Sequence, residues 1–302
     1  MLTQEIFAEP PRVLSQEQRE FYFRHGYLLL ERFVEAATLD RLRAVTESFV
    51  EASRGADPED GAFDLAPGHT AKQPRLRRVN TPDQRHDLYW AFATGIVADV
   101  AADLVGSNVV FHHSKLNFKW NDGADGVTWH QDIPFYPHSN YSPLTIGLYL
   151  ADTEMAHGPV AVIDGSHEGP LYDHYGADGR WAGCLSQADV ASLDVAKAKY
   201  LTAPAGSLTV HNCRTIHGSP PSESADGRPL LLNAYASADA TPYSELDPPA
   251  QSVHGGEIVR GAPMAEPHVD PRPCPMPPRW DGQNTSIYAN QSGEHRMARP
   301  DE

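Results

Sequence analysis

The stretch Gly106-Ser107-Asn108-Val109-Val110-Phe111-His112-His113-Ser114-Lys115-Leu116-Asn117-Phe118-Lys119 is where the chain changes character. Upstream, apolar residues recur at helical spacing. Leu39, Leu42, Val45, Phe49 and Ala52 predict a helix over about 35–54, and Leu88, Phe92, Ile96, Val100 and Leu104 predict another over about 83–105. Gly106 stops the second. From Val109 onward the texture is short β-rich runs parted by turn residues: 109–119, then 144–151, 159–163, 199–202, 207–211 and 230–236. A series of short strands predicts a mainly β fold in which two antiparallel sheets pack as a jelly roll, a double-stranded β-helix. The N-terminal helices would then flank the outside of one sheet.

Further from this boundary, Ser15 and Gln18 form a capping-box pattern that opens a helix running to about His25. Gly26 suits its end, and Tyr27–Leu30 then reads as a buried strand. Residues 55–75 are rich in Gly, Pro and Asp and predict a long loop or lid. The run Arg75-Leu76-Arg77-Arg78 reads as a solvated loop, with a substrate-facing role as the alternative. From about Asp239 prolines crowd the chain, which rules out regular helix or central strand and predicts an extended segment across the barrel, or disorder. The expected organisation is one catalytic domain over 1–302: a helical part at 14–105, a jelly-roll core with the metal site at 106–237, and an extended tail at 238–302.

Composition narrows the function. The chain has 302 residues with a net charge of −16, so it lacks the concentrated basic surface that nucleic-acid binding requires. No apolar run is long enough to predict a membrane span, and Met1 to Gln18 has no basic segment leading into an apolar one. Three cysteines, Cys184, Cys213 and Cys274, form no CxxC pair, which fits a reducing compartment and a cytoplasmic location. The partner expected is a small-molecule substrate, with no nucleic acid and no membrane; nothing in the sequence fixes an oligomeric state.

The chemistry concentrates in Trp129-His130-Gln131-Asp132. Residues i and i+2 of a strand face the same side, so His130 and Asp132 can aim a nitrogen and a carboxylate oxygen at one point. Two histidines and one carboxylate on one face of an octahedral ion leave three positions open, as in non-haem Fe(II) oxygenases. A His-x-Asp pair alone is common. Its second half is a later strand and turn, Gly206 to His211 followed by Asn212-Cys213-Arg214-Thr215-Ile216-His217-Gly218-Ser219, with Arg228 eleven residues beyond His217. A returning strand would bring the Arg228 guanidinium beside the metal, where it can grip a dicarboxylate bidentately. His211 competes with His217 for the third ligand position.

These segments together resemble the phytanoyl-CoA dioxygenase family, which includes ectoine hydroxylase, over most of residues 14–237. Leu14–Phe33 looks like the family's opening helix and strand, and His112–Lys119 is similar to the strand before its metal site. Trp129–Asp132 matches the metal motif. Gly158–His167 looks like its glycine-serine-histidine turn, with Asp164 where proline is usual, and Arg214–Ser219 with Arg228 resembles the closing motif. The resemblance implies His130, Asp132 and His217 on Fe(II), and Arg228 with Ser219 on the distal carboxylate of 2-oxoglutarate. It places Tyr149, Asn117 and His113 near the co-substrate, with core packing the alternative for Tyr149 and Asn117. By the same pattern His217 is the ligand and His211 lines the pocket.

What the resemblance implies chemically is a dioxygenase that spends 2-oxoglutarate and O₂, releases succinate and CO₂, and oxidises a substrate C–H bond. The carboxylate of Asp132 favours hydroxylation or a related oxidation over halogenation, because related halogenases carry a small residue there. Ile133–Tyr136 departs from ectoine hydroxylase, so ectoine itself is not the expected substrate. Trp129, Phe135, Tyr136, His211 and Arg214 are the candidate substrate-pocket residues. Two rival classes are a metal-dependent jelly-roll enzyme that is not an oxygenase, such as an isomerase, which would not need Arg228 and Ser219 at these offsets, and a non-catalytic binding protein, against which the intact set of three ligands plus arginine speaks.

Overall fold

In a computed structural model of the chain, the described residues are 3–57, 61–121, 126–225, 227–246, 250–279, 287–291 and 297. Among the described residues twelve strands run in chain order: β1 (Tyr27–Leu30), β2 (Phe63–Leu65), β3 (Leu76–Asn80), β4 (Val109–Asn117), β5 (Val127–His130), β6 (Leu144–Tyr149), β7 (Ala161–Ile163), β8 (Ala198–Tyr200), β9 (Leu208–Asn212), β10 (His217–Ser219), β11 (Leu230–Ser237) and β12 (Ile258–Arg260). The larger sheet has the order β1-β9-β6-β11-β4-β3-β2, with β12 also pairing to β4, and the smaller has the order β5-β10-β7-β8. Every pairing is antiparallel. The mainly β, two-sheet expectation holds.

The N-terminal helices cover the outer face of the larger sheet. The box of Ser15 and Gln18 caps Gln16–His25, and Gly26 ends it at φ 80°. Gly26 is required twice over, since a Cβ there would also run into His167 and Thr215. Leu39 and Leu42 of Ala36–Ala52 join Tyr89, Phe92, Val97 and Val100 in one core with Phe111, Leu116, Leu231 and Tyr235 of the sheet. The helix predicted over 83–105 is three segments, Pro82–Arg85, Asp87–Ala93 and Ile96–Val105, interrupted by extended His86 and by Thr94-Gly95.

Three expectations are corrected. The basic run at 75–78 is no solvated loop: Leu76–Asn80 is a strand of the larger sheet, and Arg78 is only 7% exposed. The described part of 55–75 contains β2, paired to β3. The proline-rich tail supplies a short strand, Ile258–Arg260, at β4 and a helical turn, Ile287–Asn290. Prolines exclude regular structure only where they sit, and neither segment contains one.

One irregularity shapes the interior. In the β4–β11 pair, Ala234 opposes His113 while Tyr235 opposes Phe111, so His112 is an extra residue on β4. Such a bulge reverses which side chains face inward. Val109 and Phe111 point into the helix-covered core before it, and Leu116 does so after it. His113, Lys115 and Asn117 are thereby turned to the opposite face, toward the space between the sheets.

Candidate metal centre

His130 closes β5 and lies directly opposite His217, the first residue of β10, across the antiparallel pair. Residues so placed bring their side chains within one ion's reach, and the two ring centroids are 4.0 Å apart. Asp132 lies two residues past His130, just beyond the end of the strand, with the same inward direction. Its Oδ1 is 3.8 Å from His130 Nε2 and 3.7 Å from His217 Nε2. Donor atoms of His130, Asp132 and His217 lie within 4.8 Å of one another. His211 lies outside that group.

The surroundings fix each donor. His130 Nδ1 donates to the Thr128 carbonyl at 2.9 Å and His217 Nδ1 to the Thr215 carbonyl at 3.0 Å. Both rings are thereby held as the tautomer whose Nε2 lone pair faces the centre. The other carboxylate oxygen, Asp132 Oδ2, accepts from Thr145 Oγ1 at 2.9 Å and lies 3.3 Å from His211 Nε2. Thr145 and His211 are themselves a registered pair between β6 and β9. Burial holds His130 and His217 below the usual histidine range. Burial would raise the Asp132 carboxyl, but His217, His211 and His130 outweigh it and hold it well below the usual range. Neutral imidazoles and an ionised carboxylate are the protonation states a divalent metal requires, so the donor set fits Fe(II).

The triad opens on a cavity of about 160 Å³ between the sheets. Arg228, 2% exposed, and Ser219 line it, and Arg228 Nη2 and Ser219 Oγ both donate to the Gly158 carbonyl at 3.2 Å. A buried guanidinium beside a hydroxyl suits a carboxylate. His113, Asn117, Phe135, Tyr136 and His211 also line the cavity. Tyr149 is buried in the adjoining intersheet cluster, where its hydroxyl accepts from the Val160 amide at 3.0 Å.

Two candidates lie elsewhere. Trp129 neighbours His130 on the strand and so faces the other side, in a cluster with Ile163, Leu185 and Ile216. Arg214 donates to the Gly169 carbonyl and stacks 4.9 Å from the Tyr141 ring, away from the metal cavity. His167 donates to the Phe23 carbonyl, a structural tie. Sequence reasoning missed Thr145, Lys115 and the tail residues Leu246, Ala250, Ile287 and Tyr288 as cavity wall, and Arg78 lines it as in the alternative reading of its basic run. For Lys115 the signal was present in the alternation of polar His113, Lys115 and Asn117, once the bulge is allowed for.

The sequence pattern described as phytanoyl-CoA dioxygenase (PhyH) matches residues 22–230. The chain belongs to the phytanoyl-CoA dioxygenase family. Among relatives in that family, a probable alpha-ketoglutarate-dependent hypophosphite dioxygenase of Stutzerimonas stutzeri is 36% identical over 76% of this chain and 81% of the relative. An ectoine dioxygenase of Stutzerimonas stutzeri strain A1501 is 25% identical over 78% and 82%. The crystal structure of EctD from S. alaskensis with 2-oxoglutarate and 5-hydroxyectoine superposes with a TM-score of 0.65 at 20% identity, covering 88% of this chain and 91% of EctD. As a member of the phytanoyl-CoA dioxygenase family, the protein is an Fe(II)- and 2-oxoglutarate-dependent dioxygenase that also consumes O₂.

Proposed function

We infer that His130, Asp132 and His217 hold the Fe(II), that Arg228 and Ser219 hold the distal carboxylate of 2-oxoglutarate, and that a compact substrate is oxidised in the space left beside them. The observation that carries this reading is that the triad and the Arg228–Ser219 pair open on one cavity. Bound there, iron with 2-oxoglutarate and O₂ supplies the oxidising equivalent, giving succinate and CO₂ as one oxygen atom passes to the substrate.

The chain's own residues orient and exclude. The Thr128 and Thr215 carbonyls keep both imidazoles turned inward, and Thr145 with His211 stops the Asp132 carboxylate from rotating. Val160, Leu230 and Leu232 line the cavity with apolar surface and limit water around the reacting centre. About 160 Å³ is small beside ordinary ligand pockets of roughly 300–1,000 Å³, which favours a compact substrate over a long acyl chain. Hypophosphite, the compound in one relative's name, is the first substrate to test. We further read the protein as a single catalytic domain acting in the cytoplasm without nucleic-acid or membrane partners, supported by its charge of −16 and by three cysteines that form no disulfide.

Anaerobic titration tests the reading. Adding 2-oxoglutarate to the Fe(II) protein is expected to raise the weak visible charge-transfer band of a chelated 2-oxo acid, and His217→Ala is expected to abolish it. Absence of the band in the unaltered protein would overturn the assignment of the site.

A further inference from the structure

His130 takes its direction from a carbonyl that the sheet alone does not hold. Among the described residues β5 is an edge strand of the smaller sheet, with β10 as its neighbour. Between the pairs His130↔His217 and Val127↔Ser219 the register shifts, so Thr128 and Trp129 together oppose Gly218. Such a step disrupts the ladder locally and leaves backbone groups to be satisfied from outside it. At Thr128, which is 6% exposed, this is what happens. Its carbonyl accepts from His130 Nδ1 at 2.9 Å, and its amide donates to Gln291 Oε1 at 3.0 Å. Side chains thus take both groups, and one of them is the ring that faces the metal.

Gln291 is itself held. Its Nε2 donates to the Gly183 carbonyl at 2.9 Å, and its backbone amide donates to the Ile287 carbonyl at 3.0 Å. Both ends of the side-chain amide are engaged, which fixes its plane and aims the oxygen at Thr128. Further along, Met297 packs with Trp129 and Ile216, the residues before His130 and His217, in the cluster on the face turned from the metal. The C-terminal segment therefore touches both strands that carry the histidines, and its Ile287 and Tyr288 also wall the cavity. We propose that Gln291 is a positioning residue for the iron. By holding the Thr128 amide at the register step, it sets the carbonyl that orients His130, so the C-terminal turn completes the metal centre. The proposal rests on the reading of His130 as a ligand given above. Gln291 lies 163 residues from Thr128 along the chain, so no local motif marks it.

The test uses the full-length protein under anaerobic conditions, with Fe(II) titrated by calorimetry and the visible band then raised with 2-oxoglutarate. Gln291→Met keeps the length of the side chain and removes both of its hydrogen bonds. It is expected to weaken Fe(II) by about tenfold, the lower end of the range for a ligand's outer partners, because Gln291 acts through Thr128. The maximum of the visible band is expected to move with it. Leu246→Ala alters the cavity wall from outside the turn and should change Fe(II) affinity by less than about threefold. A role in packing alone would lower the melting temperature of Gln291→Met and leave both iron readings unchanged, and that result would overturn the proposal. An equal loss of iron in Leu246→Ala would overturn it too. Hydrogen exchange needs no variant and carries the test if Gln291→Met fails to fold. Slow exchange of the Thr128 amide in the unaltered protein is expected, and exchange at the rate of an open amide would overturn the proposal. Failure of the unaltered protein to bind Fe(II) would overturn the underlying reading of the site along with it.

Discussion

Each ligand of the metal centre is held by a partner that does not itself touch the ion, and the two kinds of residue should separate in experiment. Replacing His130, Asp132 or His217 by Ala removes a donor, and Fe(II) binding followed by calorimetry is expected to be lost. His211→Ala leaves three donors and removes one of two contacts on Asp132 Oδ2. Iron should still bind, weakened by about tenfold, the usual cost of losing a ligand's outer partner. Complete loss of iron in His211→Ala would make His211 a ligand. Arg228→Ala is expected to cost 2-oxoglutarate about 2–5 kcal/mol of binding with iron retained, and Lys should rescue only part because an ammonium lacks the fork. That His130, Asp132, His217 and Arg228 meet at one cavity was legible in the sequence, because ligand chemistry restricts the choice to few side chains at fixed offsets. Thr145 was not, since a threonine in an apolar strand carries no mark of the carboxylate it will meet. Arg78 was hidden by its neighbours: in an Arg-Leu-Arg-Arg run nothing identifies the one that faces inward.

At the level of the element, the bulge at His112 decides which side of β4 is wet. Deleting His112 would restore plain alternation and drive Lys115 and Asn117 toward the core occupied by Phe111 and Leu231. The deletion is expected to abolish cooperative unfolding in a thermal melt, whereas His112→Ala should fold. Equal stability of the two would mean that register is not set there. The turn at Gly158 is a second such device. Its φ of +63° and the approach of the Pro220 carbonyl leave no room for a Cβ, and its own carbonyl receives both Ser219 and Arg228. Gly158→Ala is expected to cost about 1–3 kcal/mol of stability in urea and to weaken 2-oxoglutarate binding with it. The longer strands β4, β6, β9 and β11 were readable from their runs, and the capped helix from Ser15 and Gln18. The short strands β2, β10 and β12 were not, because their pairing is supplied by neighbours distant in sequence, whereas the equally short β7 and β8 lay within readable runs.

For the molecule as a whole, burying histidines makes stability depend on pH. Burial pushes His138 down to about 4 and His174 to about 3, and keeps His112, His113, His130 and His217 below the usual range. In the unfolded chain all titrate near 6.5, so between that value and the folded one unfolding takes up protons. Their contribution is complete above about pH 6.5 and is lost as pH falls toward 4. The depressed Asp132 carboxyl acts only below the ordinary carboxylate range and offsets nothing in that window. For the metal-free protein, His138 and His174 alone predict a loss of about 3 kcal/mol between pH 7.5 and 5.5, readable from urea midpoints. An unchanged midpoint would mean that these rings are protonated in the fold.

The tail residues on the cavity wall have a consequence for how such an enzyme diversifies. The family pattern ends at residue 230, yet Leu246, Ala250, Ile287 and Tyr288 close the same chamber as the triad. Part of the cavity wall is therefore written in a different stretch of the gene from the triad. Changes at Leu246, Ala250, Ile287 or Tyr288 would alter that wall without replacing a residue of the triad, whereas Gln291 of the same tail accepts from the Thr128 amide beside His130. Exchange of these four wall residues between relatives would measure how far the tail sets the choice of substrate.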